Sequence, residues 1–342
     1  MEFTVTIKGQ EDSPVKVEMG RSILDCGVEQ GAPFPYSCRA GNCGTCKCYL
    51  VSGEVEMSPY SEFALTAKEA ERGYILACRA VPWEDCEIEL LGDDEVVVHP
   101  MREMTCRVTA IDALTHDIRR LRLAIESGGP FTFTPGQYAD VRFPGLPGRH
   151  YSMAGQPDDD ELTFYVRIVE GGAASRHLAD TAQPGDTVAV KGPLGSAYLR
   201  ESRAGPIIAI AGGSGLAPIQ SIVDRAAALD WPDPAHVYFG VRDERDLYMV
   251  KHFEDLARRH ANFTFTPVLS EPAADTARRT GFVTDAVKAD FDSLEGYAAY
   301  LAGPPPMVEA AQAMLPALGV AEKDIHADAF YTEAELEGEA AK

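Results

Sequence analysis

Four cysteines stand at a spacing that suits an iron–sulfur cluster. They share the pattern C-x4-C-x2-C-x31-C and are Cys38, Cys43, Cys46 and Cys78. Plant-type 2Fe–2S clusters use a C-x4-C-x2-C run with a distant fourth cysteine. Gly41 and Gly44 allow the loop tight or left-handed conformations, so that backbone N–H groups can point at the sulfurs. The spacing therefore predicts a 2Fe–2S cluster held by these four thiolates.

A structural zinc site is the alternative for the same residues. Zinc sites favour paired C-x2–4-C knuckles, and only one pair fits here. All eight cysteines fall in the first third of the chain. Because the chain has no recognisable leader, we expect a reducing compartment, in which clustered cysteines bind metal rather than form disulfides. The remaining thiols are predicted to be core or surface residues: Cys26, Cys48, Cys86 and Cys106.

The tetrapeptide Arg149-His150-Tyr151-Ser152 closes a Gly/Pro-rich turn, and its residue types suit a flavin. An arginine neutralises a phosphate, an aromatic ring covers a planar ring, and a hydroxyl bonds a ring nitrogen. The stretch VRIVEGGAAS then runs from a strand through two glycines into a helix, whose first N–H groups suit an anion. A plain hairpin turn is the alternative for the glycines. Candidate ligands in this stretch are Val166, Ile168, Gly171, Gly172, Ala173 and Ser175.

A third segment, IIAIAGGSGLAP (207–218), reads as an apolar strand, a glycine-rich turn and the start of a helix. Such a turn admits a pyrophosphate beside the helix N-terminus, although it matches neither G-x-G-x-x-G nor a Walker loop. YFGVR (238–242) and YLAGPPPM (300–307) end later strands, and ligand loops in parallel sheets cluster at such ends. Candidate ligands are Gly212, Gly213, Gly215, Leu216, Gly240, Arg242, Gly303 and Pro304.

Three kinds of element are needed to position these segments. Alternating strands, a short helix capped by Ser22 and a Thr66–Glu69 capping box fill the first hundred residues. From about 102 to 200, short apolar runs separated by Gly/Pro turns indicate an antiparallel barrel. Beyond 205, strands alternate with helices, which indicates a parallel α/β sheet. We predict residues 1–92 and 102–203 as two domains joined by linker 93–101, then 204–331 as a third and 332–342 as an acidic tail.

Charge and hydropathy narrow the classes of partner. The 342 residues carry a net charge of −22, which disfavours nucleic acid and anionic membrane surfaces. Residues 1–100 hold 8 Lys or Arg against 18 Asp or Glu, a balance that suits docking to a basic protein patch or serves solubility alone. No stretch approaches the roughly 20 apolar residues of a membrane helix, and the N-terminus lacks the features of a signal peptide. We expect a cytoplasmic protein.

Taken in order, R-x-Y-S, G-G-x-x-S, G-P-x-G and the glycine-rich nicotinamide turn resemble the ferredoxin–NAD(P) reductase superfamily. With the cysteines in front, the chain is similar to the one-chain reductase components of bacterial multicomponent oxygenases of aromatic hydrocarbon catabolism, such as phenol, xylene and methane monooxygenases and some Rieske dioxygenases. The resemblance implies a β-grasp (α+β) ferredoxin domain, an antiparallel β-barrel FAD domain and an α/β parallel-sheet NAD domain. It also implies that electrons leave the ferredoxin domain for an oxygenase component. Apart from the resemblance, we expect the protein to be a monomer.

The same resemblance implies roles for single residues. Arg149 and Ser175 would hold the FAD phosphates, Tyr151 would stack on the flavin and Ser152 would approach its N5, with His150 as an edge contact. In the segment AEKDIHADAFYTEAE, Phe330, or alternatively Tyr331, would approach the flavin, or else the residue packs the last strand. Many members carry a cysteine at the position that Ala302 occupies in this chain. This difference bears on the geometry of hydride transfer and leaves the class of reaction unchanged.

The implied reaction is hydride transfer from NADH to FAD, followed by single electrons passing through the 2Fe–2S cluster to the oxygenase. Three carboxylates follow Arg242 (Asp243, Glu244 and Asp246) and disfavour the 2′-phosphate of NADPH, whereas Arg242 and Arg245 oppose this preference. Two alternatives stay open: a stand-alone NADH–flavin oxidoreductase for a small acceptor, and a zinc-containing, non-enzymatic binding module.

Overall fold

The computed structural model describes residues 1–36, 39–41, 44–61, 64–91, 97, 99–273 and 275–331. These fall into two compact units, one formed by the residues up to Pro100 with those from Asp328 onwards, the other by Met101–Ala327. The predicted domain limits, including the linker 93–101, remain predictions. In the described part of the chain, no helix is both long and apolar enough to cross a membrane.

The N-terminal unit is built on a five-stranded sheet with a helix packed on one face. The strands are β1 (Glu2–Ile7), β2 (Val15–Glu18), β3 (Lys47–Ser52), β5 (Tyr74–Leu76) and β7 (Cys86–Leu90), in the order β2-β1-β7-β3-β5. β1 and β7 are parallel and the other pairs are antiparallel. The remaining elements are α1 (Ile23–Glu29), α2 (Ala67–Glu71) and a ribbon of β4 (Val55–Met57) with β6 (Ala80–Pro82). This is the predicted β-grasp arrangement.

Local sequence accounts for these elements. In β1, Phe3, Val5 and Ile7 point into the core while their neighbours stay more exposed, as the alternating pattern predicts. The Ser22 hydroxyl accepts from the N–H of Asp25 and begins α1. Thr66 and Glu69 form the predicted capping box of α2.

A six-stranded antiparallel barrel opens the second unit. Its sheet order is β11-β10-β13-β8-β9-β12, and an antiparallel bridge between Met153 and Phe164 joins the two outer strands. The R-H-Y-S tetrapeptide, which the sequence pattern places at the end of a turn, is itself the edge strand β11. The bounds are β8 (Arg102–Ala113), β9 (Ile118–Ser127), β10 (Tyr138–Arg142), β11 (Arg149–Ser152), β12 (Leu162–Arg167), α3 (Ala173–Asp180) and β13 (Thr187–Leu194).

The rest of this unit is a sheet of order β17-β16-β15-β14-β18-β19, parallel from β17 to β18, with four helices. All six residues of the central strand β14 are buried, as expected for a sheet covered on both faces. The strands are β14 (Ile207–Gly212), β15 (Ala235–Val241), β16 (Phe263–Leu269), β17 (Arg279–Thr280), β18 (Ala298–Gly303) and β19 (Ile325–Ala329). The helices are α4 (Leu216–Ala228), α5 (Val250–Arg259), α6 (Val283–Asp290) and α7 (Pro305–Met314).

Specific polar contacts fix the barrel against the first helix of the α/β sheet. The Tyr165 hydroxyl donates to Gln220 Oε1 at 2.8 Å, and the Ser221 hydroxyl donates to the carbonyl of Gly155 at 2.6 Å. Gln156 Nε2 in turn donates to the carbonyl of Ser221 at 3.0 Å. Because α4 starts at the glycine-rich turn, these bonds place that turn next to the barrel.

Candidate functional site

The cysteine loop needs glycine at two places. Gly41 and Gly44 have φ of +81° and +74°, in the left-handed region that favours glycine. A Cβ on Gly44 would lie 2.9 Å from the carbonyl oxygen of Ala64. The predicted left-handed turns are therefore present, and they bring the loop against Ser61 and Ala64.

Two of the four predicted cluster ligands lie in the described part of the chain. Cys46 and Cys78 are both buried, and the N–H of Ala77 donates to the carbonyl of Cys46 at 3.0 Å, which brings the two positions together. Cys38 and Cys43 lie outside the described residues. Burial, with the nearby Cys78, raises the pKa of the neighbouring Cys48 thiol to about 12. Buried thiols converging from a loop and a remote residue fit an iron–sulfur ligand set.

The edge strand β11 fixes the orientation of the flavin candidates. Its register pairs Arg149 with Val141, and Ser152 with Tyr138. Tyr151 is half-buried against the barrel core, and this burial raises its pKa to about 12. Ser152 is buried. His150 is exposed, and its ring lies 4.9 Å from that of Tyr138 in a tilted arrangement. Its predicted role beside the flavin stays a prediction.

The second flavin segment ends in a helix N-terminus. Gly171 has φ of +74°, and Gly172 precedes the first residue of α3, Ala173. The Ser175 hydroxyl accepts from the N–H of Val169 and donates to the carbonyl of Gly172, so it closes the turn locally. The α3 N-terminus therefore presents backbone N–H groups of the kind that bind anions. Val166 is buried in β12, and Ile168 donates its N–H to the carbonyl of Asp117.

In the glycine-rich turn, two of the three glycines are required by packing. A Cβ on Gly215 would lie 2.0 Å from the carbonyl oxygen of Ala302, and one on Gly212 would lie 2.7 Å from Met307 Sδ. Gly213, with φ of +54°, differs, because its Cβ would meet only Arg167 Nη1, at 3.9 Å. Only Gly213 thus leaves open space in front of the turn.

The turns that follow β14 and β18 lie directly against each other. Gly303 has φ of +144°, and a Cβ there would lie 2.7 Å from the carbonyl oxygen of Gly212. Pro304 precedes α7, while Leu216, at the start of α4, is fully buried. The chain thus brings two helix N-termini to one edge of the sheet, as the strand-end pattern predicts.

A cavity of about 220 Å³ opens at this edge, between the sheet and the barrel. Five predicted nicotinamide-site residues line it: Gly212, Gly213, Gly240, Arg242 and Pro304. Gly215, Leu216 and Gly303 do not line it and instead support its wall. A groove of backbone glycines and helix N-termini fits the pyrophosphate of a dinucleotide.

The cavity also has a charged wall that the sequence analysis missed. Asp117 and Arg167 come from the barrel, and Asp117 pairs with Arg167 at 3.3 Å and with Arg242 at 3.5 Å. Arg242 also pairs with the buried Asp246 at 3.2 Å. His116 lies near both carboxylates, but the arginines already neutralise them, which fits a charge-balanced network rather than a metal site. Asp117 stands in no recognisable motif, and Arg167, although it lies in the stretch VRIVEGGAAS, is not among the predicted ligands. The fold brings both to the cavity.

Phe330, the remaining predicted site residue, directly follows β19 and is half-buried. Its predicted approach to the flavin stays a prediction.

Three family models match successive parts of the chain. They describe a 2Fe-2S iron-sulfur cluster binding domain at residues 5–82, an oxidoreductase FAD-binding domain at 105–198 and an oxidoreductase NAD-binding domain at 209–313. The order is that expected from the motifs.

Similar proteins match over almost the whole chain. The reductase component of the naphthalene 1,2-dioxygenase/salicylate 5-hydroxylase systems of Ralstonia sp. is 43% identical, covering 93% of this chain and 95% of its own. The phenol 2-monooxygenase reductase component of Pseudomonas sp. strain CF600 is 38% identical, with 100% and 98% covered. Among solved structures, the Amycolatopsis cytochrome P450 reductase GcoB matches with a TM-score of 0.80 and 37% identity, covering 96% and 98%.

Proposed function

Since the chain belongs to the ferredoxin–NAD(P) reductase family of oxidoreductases, with 2Fe–2S, FAD-binding and NAD-binding domains in one polypeptide, we propose that it is the NADH-dependent reductase component of a multicomponent oxygenase. The observation that carries the proposal is the presence of all three cofactor domains in a chain alignable end to end with such components. The partner is an oxygenase that accepts electrons at the ferredoxin domain.

The bound cofactors supply the redox chemistry: a flavin exchanges a hydride with nicotinamide and gives up single electrons, which a 2Fe–2S cluster carries one at a time. The protein binds and orients them. Cys46 and Cys78, with Cys38 and Cys43, ligate the cluster. Arg149 and the α3 N-terminus, which includes Ser175, bind the FAD phosphates.

Other residues orient the reacting rings. Tyr151 and Ser152 would face a bound flavin ring, and Phe330 would approach it. The turns after β14, β15 and β18 bind the nicotinamide dinucleotide. We further propose that the protein is a cytoplasmic monomer, in which domains 1–92, 102–203 and 204–331 bind the cluster, FAD and NADH respectively.

We infer a preference for NADH from the ion pairs of the arginines at and near the turn after β15. Arg242 is held by Asp246 and Asp117, Arg278 is held by Glu244 at 3.1 Å, and Arg279 pairs with Asp290. Each of these guanidinium groups already has a carboxylate partner, which reduces the positive charge left for the two negative charges of a 2′-phosphate. NADH brings no such charge, so it should be oxidised with the higher kcat/KM.

The test uses the protein loaded with iron, sulfide and FAD. Under anaerobic conditions, NADH should bleach both the flavin and the cluster absorption, and NADPH should do so far more slowly. Cys46→Ala should abolish reduction of cytochrome c, a one-electron protein acceptor, while NADH-to-ferricyanide activity survives.

Cys48→Ala is the matched control, because Cys48 is equally buried and only two residues away. It should keep both activities. If Cys46→Ala still reduced cytochrome c at the wild-type rate, the cluster would not be the exit for electrons. Metal analysis of the protein as purified, before any loading, that found zinc in place of iron would remove the proposal altogether.

A further inference from the structure

The charged wall of the cavity joins two parts of the fold through a single carboxylate. Asp117 lies in the turn between β8 and β9, where its Oδ1 accepts from the Thr115 hydroxyl at 2.9 Å. Its other oxygen pairs with Arg167, at the end of β12, and with Arg242, after β15. One barrel side chain thus sets the positions of two cations that line the cavity.

The burial of these groups shows which of them are fixed. The side chain of Asp117 is 19% exposed, whereas those of Arg167 and Arg242 are 40% and 48% exposed. Each guanidinium group therefore has one edge held by Asp117 and keeps other N–H donors toward solvent and the cavity. An arginine held in this way has already lost rotamer freedom, which lowers the entropy cost of binding an anion.

We propose that Asp117 is a positioning residue for the nicotinamide dinucleotide: its carboxylate holds Arg167 and Arg242 at the cavity wall, where they attract the dinucleotide's phosphates. The inference rests on the proposed function, because it takes this cavity to be the nicotinamide site. Asp246 holds Arg242 from the other side, but among the described residues it forms no ion pair with Arg167. Asp117 alone therefore couples the two cations.

The chain offers a matched control on the same pair of strands. Asp112 of β8 pairs with Arg120 at 2.8 Å and with Arg122 at 3.8 Å, so it also holds two arginines. It is not one of the residues that line the cavity. Asp112→Ala therefore removes a similar ion-pair set without touching the proposed site.

The experiment compares Asp117→Ala, Asp117→Asn and Asp112→Ala in the FAD-loaded protein. Asp117→Ala should raise KM for NADH about tenfold, the equivalent of one lost charge-assisted hydrogen bond, and leave kcat with ferricyanide within about twofold. Asp117→Asn, which keeps an acceptor oxygen, should fall between Asp117→Ala and wild type. Asp112→Ala should match wild type.

A second readout does not depend on turnover. ADP-ribose carries the pyrophosphate but no nicotinamide, so its Kd, measured by calorimetry, should rise in parallel with KM. An unchanged or lower Kd and KM in Asp117→Ala would overturn the inference, the lower value meaning that the carboxylate competes with the ligand. If wild type and Asp112→Ala themselves failed to oxidise NADH, the proposed function would fall instead.

Discussion

At the scale of single residues, Tyr248 shows how a group outside every motif supports the glycine-rich turn. Its hydroxyl donates to the carbonyl of Gly213 at 2.9 Å, and its ring packs edge-on against Tyr165 and Phe239. Burial raises the pKa of Tyr248 well above its usual value, so the hydroxyl keeps its proton and remains a donor. Because a trans peptide points C=O and the next N–H in opposite directions, this bond also orients the N–H of Ser214.

We therefore expect Tyr248→Phe to raise KM for NADH about fivefold, the equivalent of a net hydrogen bond of about 1 kcal/mol, with little change in kcat. Steady-state kinetics with ferricyanide measure both constants. The control is Tyr238→Phe, which removes a hydroxyl bonded to Asp290 at 2.7 Å, away from the turn. Equal effects of the two substitutions on KM would mean that the Tyr248 hydroxyl supports only general stability.

At the scale of elements, the close contact between the turns after β14 and β18 decides which glycines tolerate a side chain. Gly215→Ala places a methyl group 2.0 Å from the carbonyl oxygen of Ala302, so the two turns must separate. Gly213→Ala meets only the end of the Arg167 side chain, at 3.9 Å. The two substitutions are chemically identical, but their surroundings differ.

We expect Gly215→Ala to destabilise the protein by more than about 2 kcal/mol, since backbone must move to admit the methyl group. Gly213→Ala should lower the free energy of unfolding by only about 1–2 kcal/mol, the strain of an alanine in the left-handed conformation. Its main effect should be a higher KM for NADH, because the methyl group enters the cavity. Thermal unfolding and steady-state kinetics separate the two effects. A Gly215→Ala protein as stable as Gly213→Ala would contradict the packing of these turns.

At the scale of the whole molecule, charge governs encounters with electron acceptors. The net charge is −22, and the first hundred residues contribute 18 acidic against 8 basic side chains. Such an excess attracts basic proteins over distances of about a Debye length, roughly 10 Å at 0.1 M salt.

We expect the rate of cytochrome c reduction to fall several-fold between low salt and about 0.3 M NaCl, because salt screens the attraction to this basic acceptor. Ferricyanide, an anion, should show no such fall, and it reports whether salt harms the protein itself. The comparison is made under initial-rate conditions with saturating NADH. A cytochrome c rate that does not respond to salt would rule out electrostatic steering by the acidic surface.

Much of this organisation can be predicted from the sequence. The cysteine spacing, the capping residues Ser22 and Thr66, and the change from alternating strands to strand–helix alternation are local signals, each written in a few neighbouring residues. These local signals are sufficient to predict the three fold types and the glycines that line or support the cavity. The edge strand β11 is less visible, because its four residues form a strand only when paired with β10.

Other features depend on residues far apart in the chain. Asp117 meets Arg242 across 125 positions of sequence only because the barrel packs against the parallel sheet. Likewise, the sequence shows that glycines occupy the turn after β14, but only the packing of β18 beside it decides that Gly215 serves close contact and Gly213 faces the cavity. Local chemistry thus determined which cofactor segments the chain carries. The tertiary structure decided which charges surround them, because long-range contacts arise from packing that no local pattern encodes.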